Sequence, residues 1–216
     1  MSLLAIRTES VKPIVWITGA LIVVYLSLLI ALWDRFEIGL HTFARIPLAI
    51  TATVITWAGI IEWWWKRWPF NRVLKVPDLE GTWTGHLESN WVRGKTDPRR
   101  QIEIAFVIHQ TLVALTVLSY TADRRGCSRV AEFLRNEAAH TLDLAYIYSL
   151  RDEFRAGDGV QQGAAEVSVV GRQLRGEYWT NTNTRGRLIL SFRGKAKVAS
   201  FQEAKQKWGN GWQGFS

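Results

Sequence analysis

Only one cysteine, Cys127, occurs in 216 residues, which excludes an intrachain disulfide framework and any zinc cluster built on cysteine. The four histidines, His41, His86, His109 and His140, are scattered without ligand-like spacing, and a lone strand histidine is more often structural than metal-binding. No metal or other cofactor is expected. The chain also lacks a nucleophile elbow, a phosphate-binding glycine-rich loop ahead of a helix, and paired carboxylates at a recognisable spacing. Asp78 and Glu80, like Asp152 and Glu153, read as solvated turn residues. Enzymatic catalysis is therefore not expected. Nor is there a block of one charge: residues 1–75 carry 8 Lys/Arg against 4 Asp/Glu and the remainder 19 against 15. The formal charge of +8 is thus split evenly, no basic tail dominates, and no DNA or RNA partner is expected.

What is present first is a pair of apolar, Trp-flanked segments. Residues 14–33 and 46–65 each run about 20 residues, the length an α-helix needs to cross the hydrocarbon core of a bilayer. A cleaved signal peptide fits poorly, because its apolar core is usually about 7–15 residues and here a second segment follows a short loop. Trp16 and Trp33 bracket the first segment, and Trp63, Trp64, Trp65 and Trp68 crowd the end of the second, as expected for indoles at the headgroup layer. Six basic residues (Arg7, Lys12, Lys66, Arg67, Arg72, Lys75) flank the pair while Arg35 and Arg45 lie between, which places both ends in the cytoplasm. Ala52, Thr56 and Gly59 make a small-residue face suited to close helix packing. Glu62 stands one turn before Lys66, the favourable order for an ion pair. The expected organisation is a transmembrane hairpin over residues 1–66, a linker over 67–76 and a β domain over 77–216.

The second texture is β. Eight strand-like runs, near 79–88, 100–109, 112–121, 128–135, 139–150, 164–170, 173–181 and 186–194, are separated by turn-forming stretches. Alternation puts Ile102, Ile104, Phe106 and Ile108 on one face, Leu142, Leu144, Tyr146 and Tyr148 on another, and Leu188, Leu190 and Phe192 on a third. Short links such as Gly171-Arg172 make antiparallel hairpins. Eight such strands connected in sequence predict a closed up-and-down barrel, whose interior is either filled by side chains or holds one small ligand. Gly81-Thr82-Trp83 matches the Gly-x-Trp signature on the first strand of lipocalin-like barrels, where glycine permits a bend and the indole fills the barrel base. A sandwich is the alternative fold. Phe201, Lys205 and Trp208 predict a short amphipathic helix after the last strand.

The strongest binding candidate is the run Gly176 to Gly186. Tyr178 or Trp179 can stack on a base, Thr180, Asn181, Asn183 and Thr184 can read base edges or ribose, and Arg185 can grip a phosphate. The bland alternative is a polar hairpin whose Asn and Thr side chains satisfy local backbone groups. Tyr120, Tyr146, Tyr148, Arg124, Arg125 and Arg151 are further candidates for the same mouth, subject to register.

The two N-terminal spans, the lead-in segment Val76-Pro77-Asp78-Leu79-Glu80-Gly81-Thr82-Trp83-Thr84-Gly85, and the late Gly176-x-Tyr178 strand leading to Thr184-Arg185-Gly186 together resemble the two-transmembrane β-barrel effectors of bacterial CBASS antiphage defence. The resemblance covers nearly the whole chain. It implies a receptor for cyclic dinucleotides supplied by a partner CD-NTase, with ligand-promoted oligomerisation and disruption of the inner membrane by the helices. Tyr178, Thr184 and Arg185 carry over as ligand contacts; Thr180, Asn181 and Asn183 rest on their chemistry alone, and the run Asn181 to Asn183 matches no fixed pattern. A membrane-tethered carrier of an apolar ligand and an envelope scaffold with a fully packed barrel are the competing expectations.

Overall fold

The structure, a computed structural model, describes residues 2–3, 8–36, 42–74, 76–90, 100–136, 141–152, 161–209 and 212. They fall into two compact units: the residues up to Asp78 other than Ser2–Leu3, with Thr111–Val113, and Ser2–Leu3 with the remaining residues from Leu79 onward.

The helical unit contains α1 (Thr8–Phe36), α2 (Thr42–Glu62), a 3-10 turn (Trp64–Lys66) and α3 (Phe70–Leu74). Within α1, Pro13–Leu32 is long and apolar enough to cross a membrane, and none of that stretch is buried by protein. The apolar part of α2, Ile46–Glu62, is shorter. The expected second segment therefore loses its last three residues: Trp63 turns, Trp64 and Trp65 enter the 3-10 turn, and the Trp65 indole swings into a core with Ile60, Leu74 and Leu112. With the helix ended at Glu62, the i to i+4 relation to Lys66 no longer holds, and Lys66 pairs with Asp78 at 3.7 Å. α1 and α2 are tied by polar contacts: Tyr25 Oη meets Thr56 Oγ1, and Trp57 Nε1 donates to Thr18 Oγ1 at 3.0 Å. The space at Gly59 receives the Trp64 ring rather than a second helix.

In the second unit, β1 (Ser2–Leu3) is a two-residue strand paired with β4, opposite Leu115 and Ala114. The other eight are β2 (Gly81–Ser89), β3 (Arg100–Gln110), β4 (Ala114–Tyr120), β5 (Arg124–Asn136), β6 (Thr141–Asp152), β7 (Gln161–Val170), β8 (Gln173–Thr180) and β9 (Arg185–Gly194). Each pairs antiparallel with its neighbours in sequence, and β9 returns to β2. The result is a closed eight-stranded up-and-down barrel, the expected order. The largest displacement is the start of β5, at Arg124 rather than 128. Arg124, Arg125 and Gly126 carry no alternating apolar signal, yet they pair with Asp152, Arg151 and Leu150 of β6, and Arg125 and Gly126 also close onto β4.

The interior is filled. Leu144, Leu174, Leu188, Leu190, Ile108 and Phe106 are all at most 2% exposed, and Trp83 packs edge-on to Phe192 with ring centroids 5.0 Å apart. Trp83 Nε1 donates to the Leu79 carbonyl at 2.9 Å, so the indole enters the core with its polar atom satisfied. Gly81 supplies the bend before it at φ 130°, a conformation side chains rarely adopt. A second apolar cluster lies on the outer wall, where α4 (Phe201–Trp208) sets Phe201, Ala204 and Trp208 against Ala105, Val107, Leu118 and Tyr120. This is why β3 is buried on both faces from Ile104 to Ile108. α4 starts at Ser200, whose side chain accepts from the Glu203 N–H, while Glu203 Oε2 accepts from the Ala199 N–H.

Candidate ligand site at the barrel rim

The barrel has a Trp83 end and an opposite rim, where β2 finishes at Ser89, β8 finishes at Thr180 and β9 begins at Arg185. Register fixes which side chains face in. Tyr178 lies opposite Ala165 and Gly186, Tyr148 opposite Gly163, and Gly163 opposite Thr180. Tyr178 (5% exposed) and Thr180 (9%) therefore face the interior with Ser89 (3%), while Glu177, Trp179, Arg185 and Arg187 alternate outward. Gly186 is required here by close approach, because a Cβ would overlap the Glu88 carbonyl oxygen and the edge of the Tyr178 ring.

The turn between β8 and β9 is built by its own polar groups. Thr180 N–H donates to the Thr184 carbonyl at 2.9 Å, and Asn183 sits at φ 59°, the left-handed position that closes a three-residue hairpin loop and that asparagine tolerates. Thr180 Oγ1 accepts from Thr184 N–H at 3.3 Å. Asn181 Oδ1 accepts from Gln162 N–H at 3.2 Å. At the far edge Arg124 Nη1 donates to Gln161 Oε1 and Gln161 Nε2 donates to Thr182 Oγ1, at 2.7 and 2.6 Å, which clamps the loop. Asn90 Oδ1 accepts from the Arg185 N–H at 2.7 Å and locks the start of β9 to the end of β2.

A depression of about 660 Å³ opens over this rim, lined by Glu88, Ser89 and Asn90, by residues 177–180, by Asn183 and by residues 185–187. Of the six residues expected from sequence, Tyr178, Thr180, Asn183 and Arg185 line it; Asn181, whose side chain accepts from Gln162, and Thr184, whose backbone N–H and carbonyl close the turn, do not. Tyr146 and Tyr148 form a tilted ring pair with centroids 5.7 Å apart beneath the rim. Tyr120 is turned outward under α4 with Arg125 over its ring, away from the mouth. Burial pushes the Tyr148 phenol well above its ordinary range, with Tyr178 adding to it; burial also raises Tyr178, partly offset by its hydrogen bond to Ser89. These phenols are neutral donors at physiological pH. The arrangement offers exposed guanidinium groups, an indole face and neutral hydroxyl donors around one opening.

Sequence reasoning missed Glu88, Ser89, Asn90 and Arg187. The first three reach the rim only through barrel closure, a non-local pairing. Arg187 carried a usable signal, since residues two apart in a strand share a face.

No protein-family model matches the chain. The chain is similar to a CD-NTase-associated protein. That relative, CD-NTase-associated protein 15 of Staphylococcus schleiferi, is 22% identical over 187 residues, spanning 84% of this chain and 97% of the relative. An alignment of that extent takes in at least part of both the helical unit and the barrel.

Proposed function

We propose that the chain is a membrane effector of CBASS antiphage defence whose rim depression binds a cyclic dinucleotide supplied by a partner CD-NTase. The observation that carries this reading is the rim itself: above a filled barrel lies an open depression lined by two arginines, an indole and a phenol. The distant likeness to a CD-NTase-associated protein supports the same biological setting. The Arg185 guanidinium suits a phosphate of such a ligand, and the aromatic side chains suit its bases. The chain acts as a receptor and not as an enzyme.

On this reading ligand binding promotes self-association, and the helices then disrupt the inner membrane and kill the infected cell. A ligand drives assembly only if it binds the assembled state more tightly than the monomer, and many weakly interacting membrane segments become effective together once linked. α1 crosses the bilayer; α2 crosses too, its shorter apolar stretch met by local thinning and by snorkelling at its ends, with both termini and the barrel on the cytoplasmic side. A carrier of an apolar ligand is disfavoured because Leu144, Leu174, Leu188 and Leu190 occupy the space such a ligand needs. The packed-scaffold reading predicts no nucleotide binding at all.

The test uses the full chain in detergent. Arg185→Ala is expected to abolish cyclic-dinucleotide-induced oligomers while the barrel stays folded, because the Arg185 side chain is exposed. Unchanged affinity in this variant removes Arg185 from the site, and no binding by the parent chain removes the receptor reading.

A further inference from the structure

We propose that the rim depression selects a guanine-containing cyclic dinucleotide, with the Glu177 carboxylate reading the N1–H and N2–H edge of a base stacked on Trp179. This rests on the reading of the depression as a cyclic-dinucleotide site and adds the identity of the base.

The motive is a charge that a phosphate site does not need. Glu88 and Glu177 line the same depression as Arg185 and Arg187. Register sets Arg187 between them, opposite Glu88 on β2 and opposite Glu177 on β8, whereas Arg185 lies opposite Trp179. Neighbouring strands are about 4.8 Å apart, so Arg187 is the cation nearest both carboxylates, and Arg185, one register pair farther along, is the cation left for phosphate. Among the described residues none of these four side chains takes an ion pair or a side-chain hydrogen bond. Their bonding capacity is unspent.

A carboxylate beside a dianionic ligand repels it unless the ligand presents donors to it. The donors on a cyclic dinucleotide are ribose hydroxyls and base N–H groups. Guanine offers two parallel N–H bonds on its Watson–Crick edge, which match both oxygens of one carboxylate in the bidentate manner that makes charge-assisted pairs strong. Adenine sets its amino group beside the N1 lone pair, and uracil sets N3–H between two carbonyl oxygens; each turns an acceptor toward the second carboxylate oxygen. Glu177 and Trp179 share the outward face of β8 two residues apart, about 7 Å along the strand. Trp179 is 47% exposed, leaving an indole surface on which a base can lie. A base stacked there reaches Glu177 with its edge. Asn181 and Thr182, by contrast, are engaged by Gln162 and Gln161; Asn183 lines the depression, but as an amide it lacks the paired acceptor oxygens that Glu177 offers to two N–H groups.

Cyclic di-GMP, cyclic GMP–AMP and cyclic di-AMP are titrated against the full-length chain in detergent micelles, by calorimetry, with and without Glu177→Gln. The guanine-containing ligands are expected to bind about tenfold or more tightly than cyclic di-AMP, within the range one bidentate base contact commonly provides. E177Q, which replaces one acceptor oxygen with a donor, is expected to reduce that ratio to about threefold or less. Binding of all three with equal affinity, or an E177Q variant that keeps the parent's ratio, overturns the inference while leaving the cyclic-dinucleotide reading in place. Failure of all three to bind overturns the inference, and failure of cyclic UMP–AMP to bind as well overturns the cyclic-dinucleotide reading.

Discussion

Both units of this chain are rich in Leu, Ile, Val and Trp, yet they use them in opposite ways. In the barrel Leu144, Leu174 and Leu190 are fully buried. In α1, Val24 is 58% exposed and Trp16 79% exposed, and the exposed apolar side chains continue through Val23, Leu28 and Ile30. A contiguous apolar surface of this kind is not stable against water and marks a membrane or protein partner. The barrel completes its own hydrophobic burial, whereas the helical unit leaves most of its apolar surface to its surroundings. Apolar content alone therefore does not report burial; period and element length decide it.

The comparison is broken most strongly by deleting buried volume on one side. Trp83→Ala is expected to destabilise the barrel by about 3–5 kcal/mol, from lost burial plus the cavity left between Phe192 and the Leu79 carbonyl. Denaturant unfolding of the full chain in detergent, followed by near-ultraviolet circular dichroism, reads this loss. A cost below about 1 kcal/mol would mean that the indole is not a core element.

On the helical side the corresponding probe is insertion. Val24→Arg places a charge near the middle of Pro13–Leu32, where translocon-type scales assign a penalty of about 2.5–3.5 kcal/mol. The variant is expected to leave the carbonate-resistant membrane fraction while barrel circular dichroism is kept. An unchanged membrane fraction would show that α1 is not required for anchoring and that α2 suffices.

A smaller effect is expected at the contact joining the two helices. Tyr25→Phe removes the hydroxyl that meets Thr56, and such interhelical hydrogen bonds in membranes average about 0.6 kcal/mol. A double-mutant cycle with Thr56→Val isolates it, and a coupling near zero would leave α1–α2 association to packing and the Trp57–Thr18 hydrogen bond.

The smallest effect is a pH dependence confined to the barrel. Burial, reinforced by Lys197, lowers the His109 pKa below 6.5, with Glu80 opposing. The folded state then binds fewer protons than the unfolded state around that pH, so this contribution is full above the unfolded pKa and is lost as pH falls through the folded one. Melting of His109→Gln is expected to be less acid-sensitive than that of the parent between about pH 7.5 and 5. Equal sensitivity would remove His109 as a contributor.

How far the sequence was readable follows the range of the interactions involved. Alternation at Ile102 to Ile108 and Leu188 to Phe192 is local, and it put Ile104, Phe106, Ile108, Leu188 and Leu190 in the barrel core, though it did not imply the burial of Ala105 and Val107 on the outer face. The β5 start was hidden because Arg124, Arg125 and Gly126 are held in place by partners distant in sequence. The second apolar segment was overread by three residues, since hydropathy counts Trp63 to Trp65 as apolar but cannot see that Trp65 has a core to enter. At the rim, Tyr178, Thr180, Asn183 and Arg185 were legible as ligand-type residues in one run. Their division between inner and outer faces was not.

By itself the sequence determined the order of the two textures, the strand number, the buried Gly-x-Trp corner and the absence of a cysteine framework. These depend on composition, period and short spacing, all local quantities. Only the tertiary structure decided that the barrel is filled, that α4 covers one outer wall, and that Glu88 and Asn90 meet Arg185 and Arg187 at one rim. Those facts arise from closure of β9 onto β2, which brings together residues about a hundred positions apart. No local pattern encodes a pairing whose free energy appears only once the ring has closed.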